Sequence, residues 1–134
     1  MFKSQTFLSK LPTRKKNRAA EQGRANAAGL LGWLYAQGAG VERDPGRAMS
    51  YYTRAAQAGD VVAQNNLAQL YETGAAGKPD AQQALAWYEK AAVKGFAPAQ
   101  FNLGRLYASG QGGITVDAKR ARLWLKRAEA PGFC

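Results

Sequence analysis

Residues 61–96 read VVAQNNLAQLYETGAAGKPDAQQALAWYEKAAVKGF. Shifted by 36 positions in either direction, this stretch meets itself. Ala63 falls on Ala27 and Ala99, Leu67 on Leu31 and Leu103, and Ala68 on Gly32 and Gly104. Leu70-Tyr71 falls on Leu34-Tyr35 and Leu106-Tyr107, and Gly74 on Gly38 and Gly110. In the second half, Asp80 matches Asp44, Ala84 matches Ala48, and Trp87-Tyr88 matches Tyr51-Tyr52. Lys90-Ala91-Ala92 matches Arg54-Ala55-Ala56, and Gly95 matches Gly59. With one extra loop residue, the third copy supplies Asp117, Ala121, Trp124-Leu125, Arg127-Ala128 and Gly132. Self-similarity at a period of this length marks a repeat architecture, in which each unit buries its apolar side against its neighbours.

Each unit reads as two helices. From Ala25 to Gln37 apolar residues recur at helical spacing, and Gly38 suits a left-handed cap. Asp44 is a candidate N-cap for the second helix, with Pro45 in the first turn. Asp80 and Asp117 stand at the same place in the later units. The second helices are expected to end at Gly59, at Gly95 and near Pro131-Gly132. The small residues Gly32, Ala68 and Gly104 predict close helix contact, and the aromatic residues Tyr35, Tyr71, Tyr107, Trp87 and Trp124 are expected to fill the spaces between helices.

The pattern L-G-x-L-Y-x-x-G, a loop, then D-x-x-x-A-x-x-W/Y-Y/L-x-K/R-A-A and a glycine resembles Sel-one-like repeats, relatives of tetratricopeptide repeats. The resemblance runs from Ala25 to about Gly132. It implies an all-α, right-handed α-solenoid of three helix-turn-helix repeats, 25–60, 61–96 and 97–132, whose first helices line a concave face. It also implies a role in protein binding, and export is common in the family. Unit three departs at Glu129, where an alanine is expected, and in its longer loop from Gln111 to Val116. The outer side of the last helix, with Leu123, Trp124 or Leu125, is therefore expected to be partly bare, which would favour self-association or docking of Phe133-Cys134.

Outside the repeats lies a basic N-terminal arm, residues 1–24. Of 134 residues, 19 are Lys or Arg and 9 are Asp or Glu, for a net charge of +10. Lys3, Lys10, Arg14, Lys15, Lys16 and Arg18 put six of those charges in the first 20 residues, which hold no acid. Polar residues and lysines interrupt every apolar stretch there, so the segment does not read as a secretory signal, although it superficially fits a mitochondrial presequence. A cytoplasmic location is the expectation. Phe2, Phe7, Leu8 and Leu11 are expected to dock on the first repeat.

The composition narrows the chemistry. There is no histidine, and the one cysteine is Cys134. An intramolecular disulfide, zinc sites of cysteine and histidine, and Ser-His or Cys-His catalysis are excluded. The acids are scattered or placed as caps, and the glycine-rich loops lack the lysine and strand of a phosphate loop. No enzyme activity, metal or cofactor is expected.

Two kinds of binding remain. Core positions should repeat from unit to unit because their packing is the same, so positions that vary are released for a ligand. One varying row is Trp33, Gln69 and Arg105, and another is Gly29, Asn65 and Phe101. These suit a peptide with an apolar anchor and an acidic or C-terminal carboxylate group. The reading that follows is a non-catalytic adaptor whose concave groove holds a protein or peptide partner. The alternative is electrostatic. Arg14, Lys15, Lys16 and Arg18 in the arm, with Lys119, Arg120, Arg122, Lys126 and Arg127 on the last helix, are candidates to bind nucleic acid or an anionic membrane surface.

Overall fold

The computed structural model describes the backbone of residues 13–130 and the side-chain surroundings of residues 21–130. The described residues form six α-helices: α1 Thr13–Gln37, α2 Pro45–Gln57, α3 Val61–Thr73, α4 Ala81–Val93, α5 Ala97–Ser109 and α6 Ala118–Glu129. A short 3-10 turn, Gln111–Gly113, precedes α6. The helices pack in consecutive pairs, α1 with α2, α3 with α4 and α5 with α6, and the pairs stack in chain order as a helical repeat array.

One local device builds every pair. The carbonyls of Tyr35, Tyr71 and Tyr107 accept the backbone N–H of Asp44, Asp80 and Asp117 at 2.9, 2.7 and 2.9 Å. The carboxylate of each aspartate then accepts the N–H of the residue three further on, Arg47, Gln83 or Arg120. These bonds satisfy helix-start donors that would otherwise lack partners, and removing such a cap typically costs about 1 kcal/mol. The first helix of each pair stops at a glycine, as Gly74 shows. Its φ is +73°, and an added Cβ would lie 2.6 Å from Pro79 Cδ. Both the backbone conformation and the space demand glycine there.

Helix contact within a pair is as close as the small residues predict. A Cβ on Gly32 would lie 2.6 Å from the Tyr52 ring, and one on Gly104 would lie 2.8 Å from Leu125. Ala68 is fully buried. Two adjoining cores result. Ala48, Tyr52, Ala55, Ala56, Ala63 and Leu67 form the first. Ala84, Tyr88, Ala91, Leu103, Leu106 and Ile114 belong to the second. Tyr71 and Trp87 pack against both and join them. Gln64 and Gln100 tie successive pairs, donating at 3.1 Å to the carbonyls of Ala56 and Ala92 at the end of the preceding helix.

The two ends of the array depart from the pattern. Leu31 is 38% exposed, whereas Leu67 and Leu103 are fully buried, because no described helix pair precedes α1. α1 begins at Thr13, twelve residues before the start expected at Ala25. Arg14, Lys15, Lys16 and Arg18 are thus in a helix that runs unbroken through residue 24. Helix formation needs only backbone hydrogen bonds and good propensity, which the Arg, Lys, Ala, Glu and Gln residues of this segment supply. At the other end Glu129 is exposed where Ala56 and Ala92 are buried. Leu123 is 47% exposed, while Trp124 and Leu125 are half-buried against the core and Gly104. The expected docking of Phe2, Phe7, Leu8, Leu11 and of Phe133-Cys134 lies outside the described residues.

Candidate functional site

The first helices of the three pairs carry a groove of about 570 Å³. α1 contributes Trp33 and Gln37, α3 contributes Asn66, Gln69 and Thr73, and α5 contributes Asn102 and Arg105. The row Trp33, Gln69 and Arg105 therefore shares one surface. A second compartment of about 280 Å³ adjoins it and shares Trp33, Tyr52 and Asn66 as a common wall. Trp33 is 47% exposed, an unusual state for an indole on a packed helix.

Arg105 lines the groove and is also engaged within the fold. Its two terminal nitrogens lie 2.8 Å from the two carboxylate oxygens of Glu72, a bidentate pair joining α5 to α3. The Tyr88 hydroxyl, from α4, donates to the same carboxylate at 2.8 Å. Burial pushes the Glu72 carboxyl up, but the bonds from Arg105 and Tyr88 outweigh it and leave the group below its ordinary range. Burial first, then the hydrogen bond to Glu72 and its charge, push the Tyr88 hydroxyl up. The Glu72 bond in turn raises Arg105. This network uses the arginine fork inside the fold.

The other row does not line the groove. Asn65 is 6% exposed and accepts a hydrogen bond from the Asn102 carboxamide at 3.2 Å, so it serves the contact between α3 and α5. Phe101 is 54% exposed but lies outside both compartments. Positions 65 and 101 precede the groove-facing Asn66 and Asn102 by one residue, about 100° of helix rotation. Gly29 lines only the smaller compartment. Arg43, from the loop after α1, also lines the larger compartment. Its repeat column reads Arg43, Pro79, Val116, so the variation rule would have found it if extended from helices to loops.

The cations of α6 divide into two groups. Arg120 lies over the Tyr107 ring at 5.6 Å, with its Nη1 donating to the Tyr107 hydroxyl at 3.2 Å. Arg127 lies over Trp124 at 4.9 Å. The same arrangement recurs as Arg54 over Tyr51 and Lys90 over Trp87, so these cations are parts of the repeat. Lys119, Arg122 and Lys126 are exposed, and their spacing of three and four residues places them on one helix face. Arg14, Lys15, Lys16 and Arg18 have no described side-chain surroundings.

The Sel1 repeat family model matches residues 25–60, 61–96 and 97–130, and the chain belongs to the Sel1 repeat family. Two solved structures extend the likeness to three dimensions. A Sel1 repeat protein from Oxalobacter formigenes is 34% identical with a TM-score of 0.73 over 86% of this chain. A protective antigen present in uropathogenic Escherichia coli strains, displaying an SLR fold, is 38% identical with a TM-score of 0.77 over 84% of this chain. The chain spans 49% of the first protein's length and 24% of the second's. Among curated proteins, none matches significantly. Sel1 repeats are protein-interaction scaffolds.

Proposed function

We propose that this chain is a non-catalytic adaptor that holds a protein or peptide segment in the groove across its first helices. The observation that carries this reading is the convergence of residues from all three repeats on one groove, with the Trp33 indole half exposed on its wall. A half-exposed indole beside carboxamides offers both an apolar contact and hydrogen bonds to a peptide backbone. Trp33→Ala should weaken binding to a captured partner by about tenfold or more, the scale of an aromatic anchor. The far-ultraviolet circular dichroism should stay unchanged. Retained affinity together with unchanged helicity would remove the groove from consideration.

A second reading rests on Lys119, Arg122 and Lys126 on the exposed face of α6. Such a face binds nucleic acid phosphates or anionic lipid in a salt-dependent manner. Replacing all three by glutamine would abolish that binding and leave partner capture through the groove intact.

A further inference from the structure

The geometry points to a directional ligand: an extended peptide with an apolar side chain in the small compartment beside Trp33 and a carboxylate on Arg43. This rests on the groove reading above and adds the chemistry of the ligand.

The two compartments differ in character. Leu30, Val62, Ala63 and Gly29 give the smaller one an apolar lining. Its one charged group, Asp60, caps α3, with Oδ1 accepting from the N–H of Val62 at 2.9 Å and of Ala63 at 3.2 Å. A carboxylate in that position is stabilised by the helix start, which engages its Oδ1. An uncharged apolar side chain is what this compartment accommodates.

The larger compartment is polar and carries three charged groups, Glu72, Arg105 and Arg43. Glu72 and Arg105 cancel each other through two contacts of 2.8 Å. Among the described residues Arg43 is then the groove cation with no carboxylate partner. Its Nε donates to the Ala36 carbonyl at 3.3 Å, at the C-terminal end of α1. That bond offsets the partial negative charge of the helix end. It also fixes the guanidinium while leaving both terminal nitrogens for a planar acceptor, which a carboxylate matches. The loop passes close to the end of α1, since a Cβ on Gly38 would lie 3.1 Å from the Arg43 Cβ. In the same larger compartment, Asn66, Gln69 and Asn102 present carboxamides, each able to donate to and accept from a peptide backbone.

The test is a screen of the full chain against a library of fluorescein-labelled hexapeptides with free C-termini, followed by anisotropy titrations of the enriched sequence. Enriched peptides should carry one large apolar residue and one carboxylate. Converting that carboxylate to an amide should weaken binding by about tenfold, as for a charge-assisted hydrogen bond. Side-chain conversion and C-terminal amidation are made separately, which tells the two sources apart. In Arg43→Gln the acid and amide peptides should bind within about twofold of each other, and Arg43→Lys should restore part of the preference as a point charge. An acid preference that persists undiminished in a folded Arg43→Gln chain overturns the assignment. So does a peptide that is lost with Trp33→Ala yet shows no acid preference, in which case the groove reading survives. Failure to enrich any peptide, or binding indifferent to Trp33→Ala, overturns both.

Discussion

The junction between the first and second repeats and the junction between the second and third share one packing scheme, and one triplet of columns carries a main difference between them. At the second junction the triplet is Glu72, Tyr88 and Arg105, closed by three contacts of 2.8 Å. At the first, the same columns hold Ala36, Tyr52 and Gln69. Tyr52 is buried, its hydroxyl facing the Asn66 carboxamide, and burial pushes it up while Asn66 pulls the other way. No ion pair forms among these residues, and Gln69 stays exposed beside Trp33. One junction engages this triplet within the fold, and the other leaves Gln69 exposed at the groove, where the proposed ligand would meet it. A repeat protein can separate stability from binding in this way because each unit answers only to its neighbours.

The largest test of that contrast is Tyr88→Ala. It removes a fully buried ring and leaves the Glu72 carboxylate with one partner fewer. A loss of about 3–5 kcal/mol in urea unfolding is expected from cavity formation at an aromatic site. A loss under about 1 kcal/mol would mean that the second junction relaxes around the hole.

Removing the cation comes next. Arg105→Ala strands the Glu72 carboxylate, whose side chain is 13% exposed. The expected cost is about 1–2 kcal/mol, reduced by the solvent that reaches the arginine side. Gln69→Ala, at the same column, should change stability by less than about 0.5 kcal/mol, as for an exposed helix position. Equal costs at the two positions would erase the distinction between the junctions.

The smallest effect is on acid stability. The folded Glu72 carboxyl titrates below its ordinary range, since the Arg105 and Tyr88 bonds outweigh burial. The unfolded chain therefore takes up the proton first as the pH falls. The stabilisation is complete above the unfolded glutamate pKa of about 4.3 and is lost as the pH drops through the lower folded value. Glu72→Gln should start less stable at neutral pH and lose less on acidification than the parent chain. Parallel thermal-denaturation curves from about pH 6 to about pH 3 would contradict that.

The sequence revealed the repeats because packing demands the same side chain wherever the same contact recurs. Leu67 and Leu103, Gly32 and Gly104, and the three aspartate caps were readable for that reason. The converse rule, that varying positions are released from packing, picked out Trp33 and Gln69, which line the groove, but had two blind spots. Asn66 and Asn102 face the groove, but their column changes only at Leu30, so a search for rows that differ in every unit passes over it. Asn65 varies yet is buried, because the column also meets the next pair through Asn102.

What the sequence determined by itself was therefore the unit: its helices, caps and turns, all set by contacts within about 40 residues, as in any repeat of this size. What only the tertiary structure decided was the fate of each polar group. Glu72 and Arg105 are 33 residues apart, and Tyr88 lies on a different helix from both. No spacing rule joins them, since they meet only when the second and third pairs stack. That stacking engages Arg105 and leaves Arg43 with no described acidic partner, because an ion pair depends on distance in space and not on order along the chain.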